Sequence, residues 1–322
     1  MSGNWINNLM FLGVSLCRRG TPLSLSRSKK CGWTQGLGLP RGGQTVLYTG
    51  LLYQMVPHVK VLHERRERFR ALEETFPLEP MLFLHSFVDL AGLLTRFSVP
   101  DYLYKLYLQP LRAIVHLLRS AGVEVGYLYE KDIYPGTLAY ELGFTKAFIH
   151  QANKVKKIFE EAGVRTIITV DPHTTYLLKK VYPEIFPQGF PFEVRHYLEV
   201  IAEKLSQLKG EGEIVLHEGC VFARKLGLSD LPEMVLSKVG YQVKRPRYTG
   251  LTTYCCGGPV EGLFPEKAQE VAKKRISQLE VECQFIATLC PICHLNFLKV
   301  APENIFIQDV SLFLISNKGG AL

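Results

Sequence analysis

Cys220 is followed after 34 residues by the pair Cys255-Cys256, and after 33 more by Cys290-Pro-Ile-Cys293. Five of the eight cysteines thus fall into three groups, and any fold must let those groups meet or explain why they do not. Adjacent cysteines splay to opposite sides of the backbone and a vicinal disulfide is strained, so a bridge within the pair is disfavoured. Thiolates select zinc, copper(I) or iron–sulfur clusters, and a CxxC turn lets two sulfurs reach one centre. Five thiolates are one too many for a tetrahedral zinc site, whereas a multinuclear iron–sulfur centre uses them all. Gly257, Gly258 and Pro259 fit such a centre, since a loop against inorganic sulfide needs close backbone approach and free amide donors.

Around this pattern the chain is ordinary. Its 322 residues, 47% apolar and 21% charged, suffice for two packed α/β domains. The formal charge of +8 suggests a polyanion partner until it is mapped: Arg18, Arg19, Arg27, Lys29, Lys30 and Arg41 lie in residues 1–45, which hold no acid. The remaining body is near neutral, so no nucleic-acid partner is expected. The stretch MLFLHSFVDLAGLLTRF is interrupted by His85, Asp89 and Arg96, so no transmembrane segment is expected, and the protein reads as cytoplasmic, with any membrane contact peripheral and through partner subunits. Cys17 and Cys31 lie in the basic tail at a spacing unlike any cluster motif and read as free thiols, and Cys283 reads as a buried thiol.

The segments GCVFARKL, TYCCGGPVEG and TLCPICHLNF resemble the cysteine-rich CCG domain of heterodisulfide reductase catalytic subunits. Similar domains occur in the glycerol-3-phosphate dehydrogenase iron–sulfur subunit, lactate-utilisation proteins and an archaeal-type succinate dehydrogenase subunit. The resemblance covers about residues 45–310 and is most specific in the C-terminal half. It implies a noncubane [4Fe-4S] cluster bound by Cys220, Cys255, Cys256, Cys290 and Cys293. It also implies disulfide or sulfur chemistry, and a ferredoxin-like iron–sulfur subunit or a flavoprotein as partner.

Proteins of this kind carry the motif twice, and a first copy is legible with its thiols gone. VLYTGLL aligns with VLHEGCV, placing Leu51 against Cys220. DIYPGTLAYELGF aligns with TTYCCGGPVEGLF, placing Tyr134 and Pro135 against the cysteine pair, with Gly136 retained. IITVDPHTT aligns with IATLCPICH, placing Asp171 and Thr174 against Cys290 and Cys293. Asp171 and His173, with His150 or His196, keep a different metal open in the first copy; the alternative is a packing domain filled by Leu51 and Tyr134.

TVLYTG, RTIITVD, EIVLHEG and QFIATLC read as buried parallel strands ending in the motif residues. Between them, Tyr197, Ile201, Leu205 and Leu208 recur at helical spacing, as do Ala268, Ala272, Ile276 and Leu279 behind Pro265. DYLYKLYLQPLRAIVHLLRS is expected to be a helix, and HERRERFRALEET the solvated face of one. The fold class is therefore α/β, with two pseudo-repeated halves of mainly parallel sheet and the cluster site at carboxyl ends of strands. The expected organisation is a basic tail over 1–45, a degenerate CCG-type domain without cysteine ligands over 46–210, and a cluster-binding CCG-type domain over 211–322, joined near QLKGEGE at 207–213.

No catalytic residue is assigned. His217 and His294 flank the thiols and can donate to a cluster or protonate a sulfur leaving group, or serve only as supporting hydrogen-bond partners; Arg224 is a candidate anion contact or a surface ion pair. There is no GxGxxG after a strand and no CxxCxxCxxxCP run, so this chain is expected to bind neither flavin nor NAD and to carry no second cluster. The expected function is that of an iron–sulfur subunit of a redox complex, passing electrons to or from a disulfide, a sulfur species or a partner. The alternative is an assembly or membrane-docking subunit with structural zinc.

Overall fold

The computed structural model describes residues 4–65, 77–96, 98–204 and 210–315. It is built on two four-stranded sheets. The first comprises β1 (Thr45–Tyr48), β2 (Gly126–Tyr127), β3 (Thr166–Thr169) and β4 (Glu193–His196) in the order β2-β1-β3-β4. The second comprises β5 (Glu213–His217), β6 (Gln242–Lys244), β7 (Phe285–Thr288) and β8 (Phe306–Asp309) in the order β6-β5-β7-β8. Every pairing within them is parallel. Advancing each number of the first order by four gives the second, so the internal repeat is present in the topology. The α/β class with two pseudo-repeated parallel halves is the class expected from the sequence.

The central strands are buried on both faces, as parallel strands covered by helices must be. Val46, Leu47, Ile167, Ile168, Ile214, Val215, Ile286 and Ala287 are essentially inaccessible. Helix Asp101–Ser120 buries Leu103, Tyr107, Leu111, Ile114 and Leu118 along one stripe. Pro265 opens helix Pro265–Leu279, which buries Ala268, Ala272, Ile276 and Leu279. Helix Tyr197–Ala202 starts where the spacing predicts and buries Tyr197 and Ile201; Leu205 and Leu208 lie outside the described residues, as do 66–75 of the charge run and 207–209 of the expected junction. The long apolar stretch is two helices, Leu78–Phe87 and Leu90–Arg96. They part at Asp89, which accepts from the Gly92 amide at 3.0 Å. Among the described residues no helix is long and apolar enough to cross a membrane.

Residues ahead of β1 pack on the body. Helix Asn4–Arg19 sends Leu16 into the core of the first half, and Trp33, Leu37 and Leu39 enter the larger core. Arg112 fastens this segment by donating to the Trp33 and Gln35 carbonyls at 2.7 and 2.8 Å. The two halves are bonded directly as well: the Tyr53 hydroxyl donates to buried Asp309 at 2.6 Å.

Candidate metal centre

The three cysteine groups converge. β5 delivers Glu218, Gly219 and Cys220 from its carboxyl end; Gly219 turns the chain with φ of +78°, and a π-helical turn over Val221–Lys225 follows. β7 ends into Cys290, which precedes helix Pro291–Leu298 and sets Cys293 in its first turn. The third group stands on the loop after β6. There Gly257 takes φ of +84°, and a Cβ on it would lie 2.4 Å from the Ala268 carbonyl oxygen, so only glycine fits. A Cβ on Gly258 would lie 2.6 Å from Ile292 Cγ2 and 3.3 Å from Cys256 Sγ. The loop is thus pressed against the CPxC helix as closely as backbone allows.

The sulfurs contact one another as a chain: Cys220 with Cys255, Cys255 with Cys256, Cys256 with Cys293, and Cys293 with Cys290. Cys220 and Cys255 are 4.0 Å apart, and the Gly257 amide donates to Cys255 Sγ at 3.3 Å. Among the described residues no three His, Cys, Asp or Glu side chains are arranged around a single ion. Five thiols side by side, Cys256, Cys290 and Cys293 buried and Cys220 and Cys255 half-buried, do not all ionise in the absence of a cation. Cys255 is held as thiolate by donation from Cys220 and Cys256, and Cys290 by donation from Cys293 and then His173. Cys220, Cys256 and Cys293 are pushed up by those neighbours and by burial.

Beneath the thiols lies a polar support that the residue pattern does not signal. Arg275, fully buried, donates to His217 Nδ1 at 3.2 Å, to the Tyr248 carbonyl at 2.8 Å and to Thr253 Oγ1 at 3.3 Å. Glu218 stands 3.8 Å from Arg275 and accepts from the Gly250 amide at 3.0 Å and from Thr253 Oγ1 at 3.1 Å. Two side chains, one just after β5 and one on the 265–279 helix, therefore fix the residues immediately ahead of the cysteine pair. The bond from Arg275 also fixes the tautomer of His217. With Nδ1 accepting, the proton sits on Nε2, which is buried and has no partner. Burial, then Arg275, holds the ring neutral.

The other candidates are placed differently. His294 is buried and turned to β8, where Nε2 bonds the Ile307 carbonyl at 3.2 Å; burial lowers its pKa to about 4. Arg224 is exposed and donates to the Thr253 carbonyl, two residues ahead of Cys255. Cys283 is half-exposed rather than buried: it precedes β7 at the end of the sheet remote from the motifs, donating to the Glu213 carbonyl at 3.2 Å. Cys17 is exposed and Cys31 half-buried, each a free thiol.

The emptied motif converges too, and is packed solid. A Cβ on Gly50 would meet Thr174 Oγ1 at 2.6 Å and Pro135 Cδ at 3.2 Å, so the three stripped loops touch. Leu51 and Tyr134 are 3% exposed and share one core with Phe148 and Tyr182. Asp171 caps its helix, Oδ1 accepting from the His173 and Thr174 amides at 2.9 and 3.0 Å, and burial raises its pKa to about 6. His150 is exposed and His196 caps helix Tyr197–Ala202, so neither joins Asp171. His173 instead reaches the other half. It pairs with Glu141 at 3.4 Å and lies beside Cys290; burial lowers its pKa, but Cys290 and Glu141 together raise it. Nothing in the residue pattern foretells a histidine of the stripped copy at the thiols of the intact one, because only the contact between halves brings it there.

A parallel α/β half with five thiols at the carboxyl ends of two strands and on the loop between them defines the class. Residues 214–298 match the cysteine-rich CCG domain, and over this stretch the chain belongs to that family. The chain is similar to the EtfAB:quinone oxidoreductase of Syntrophomonas wolfei, 30% identical over 197 residues, covering 56% of this chain and 27% of that protein. It is 32% identical over 190 residues to the probable iron-sulfur-binding oxidoreductase FadF of Bacillus subtilis, covering 55% of this chain and 26% of that one. One subunit of the dihydromethanophenazine:CoB–CoM heterodisulfide reductase of Methanosarcina mazei is 28% identical over 203 residues, covering 58% of this chain and 49% of that relative. The matches thus span between about a quarter and a half of the length of these relatives.

Proposed function

We propose that this chain is an iron–sulfur electron-transfer unit of a redox complex, in which Cys220, Cys255, Cys256, Cys290 and Cys293 hold a noncubane [4Fe-4S] cluster. The observation that carries the proposal is the unbroken chain of five contacting thiols between β5 and β7. Five neighbouring sulfurs are one more than a tetrahedral single-ion site uses, and suit several metal ions better than one. The surroundings suit the same group: the Gly257 amide already donates to Cys255 Sγ, and the unpartnered Nε2–H of His217 is a buried donor in need of an acceptor. Such a cluster supplies one-electron transfer. The protein's own residues exclude water, hold the thiols in register through Arg275 and Glu218, and place His173 against Cys290.

One cluster exchanges one electron at a time, and the stripped copy is filled by Leu51, Tyr134 and Thr174. Relay between partners, one a flavoprotein or ferredoxin-like subunit, therefore suits the chain better than unaided cleavage of a disulfide. The names of the relatives, linked to quinone, iron–sulfur and heterodisulfide chemistry, support a place in such a complex. The test is the visible spectrum of anaerobically purified protein. A broad band near 400 nm that bleaches on reduction is expected; colourless, zinc-loaded protein overturns the reading in favour of a structural subunit.

A further inference from the structure

A cavity of about 430 Å³ lies where helices Asn4–Arg19, Leu52–Glu64 and Leu78–Phe87 meet the loop after the cysteine pair. That size is in the range of sites for small organic ligands. Its walls are largely apolar, with Phe11, Leu23, Met55, Val59, Met81 and Ala91 among them. At one side Tyr134, Thr137, Glu141 and His173 form a continuous polar patch: Thr137 and Glu141 share one helix, and Glu141 pairs with His173. His173 contacts Cys290, while Gly258 and Ile292, each one or two residues from a thiol, line the same cavity. The cavity thus borders the metal centre directly.

The chemistry of the lining limits the occupant. Among the described residues it contains no lysine or arginine, Glu141 is paired with His173, and Glu261 is paired with Lys299. Among the described residues an anionic thiol or disulfide would find no lysine or arginine there, and the His173 ring is already engaged by Glu141. A flat apolar ring bearing carbonyl oxygens fits better, with the ring against the aliphatic wall and a carbonyl at the Tyr134 and Thr137 hydroxyls. The helices flanking the cavity expose Trp5, Ile6 and Met10 on one and Phe83, Leu84 and Phe87 on the other, an apolar approach for a lipophilic molecule. We propose that this cavity binds the head of a lipophilic quinone beside the Cys290–His173 edge of the metal centre. The exchange of electrons with that quinone rests on the relay proposed above; binding rests on the cavity alone.

The test is calorimetric titration with menadione of the full chain, with and without reconstituted iron and sulfide. Saturable binding to both forms is expected, and Ala91→Phe or Val59→Phe, each filling the cavity, should weaken it at least roughly tenfold while the melting profile stays cooperative. Should both variants misfold, photolabelling of the wild-type chain with an azido-naphthoquinone decides: adducts on peptides 52–63 and 134–142 support the site, and adducts elsewhere overturn it. Absence of binding, unaltered binding by a folded variant, or equal competition by palmitate also overturns it. The two proposals fail separately. Protein that takes up iron but ignores menadione keeps the relay and loses the cavity, whereas protein that binds menadione but no iron does the reverse.

Discussion

Arg275 has no exposed surface and ties the end of β5 to the loop after β6 through three bonds, which makes it the residue whose loss is easiest to foresee. Arg275→Met leaves Glu218 buried without its cation, at a cost of about 3–5 kcal/mol. The melting temperature of the metal-free protein should fall accordingly, and the tautomer of His217 is freed. An unchanged melting curve would contradict the support described for the cysteine loop. Cys256→Ser should lose or remodel the cluster whereas Cys17→Ser keeps it, judged by iron and sulfide analysis. Equal loss in both would show that the ligand set is wrong. The cysteines are readable in the sequence because thiols are scarce and their spacing is regular. Arg275 is not, since on its helix it looks like one of several solvated cations and only the fold reveals that it points inward.

At the scale of elements, the sequence pattern marks β1, β3, β5 and β7 and passes over β2, β4, β6 and β8. The division is physical. In both sheets the recognised strands are central and the others are edges. A central strand buried on both faces is a continuous apolar run, while edge strands such as Glu193–His196 and Gln242–Lys244 carry charge. Helix caps are equally hidden. His196 begins helix Tyr197–Ala202 with Nδ1 accepting from the Leu198 amide at 3.3 Å, and burial, then Lys179, lowers its pKa from 6.5 to about 3. The folded state thus prefers the neutral ring, so this stability is present above pH 6.5 and drains away as pH falls toward 3, at about 1.4 kcal/mol per pH unit. His196→Asn keeps a capping oxygen and removes the titration. Its unfolding free energy should fall less steeply than that of the parent below about pH 6, measured by urea denaturation across the range; parallel curves would show that His196 does not titrate between the two states.

For the whole molecule, the asymmetry between halves is countable. Reconstituted protein should hold about four irons per chain, since Leu51, Tyr134, Pro135, Asp171 and Thr174 offer no soft donors. A reproducible count near eight would refute a single centre. The purified chain with reduced viologen should turn over a small disulfide poorly and gain rate when partner subunits are added; robust turnover by the chain alone, lost in Cys256→Ser, would make it the catalytic subunit in its own right.

His173 gives the asymmetry a genetic meaning. The copy that has lost its thiols still lends one side chain to the copy that kept them, so the halves are not two independent genes in one reading frame. A lesion at codon 173 should behave as a lesion of the second half, and supplying that half in trans, unaltered and alone, should not complement it. Two halves of one topology are therefore not interchangeable, since the second draws His173 from the first.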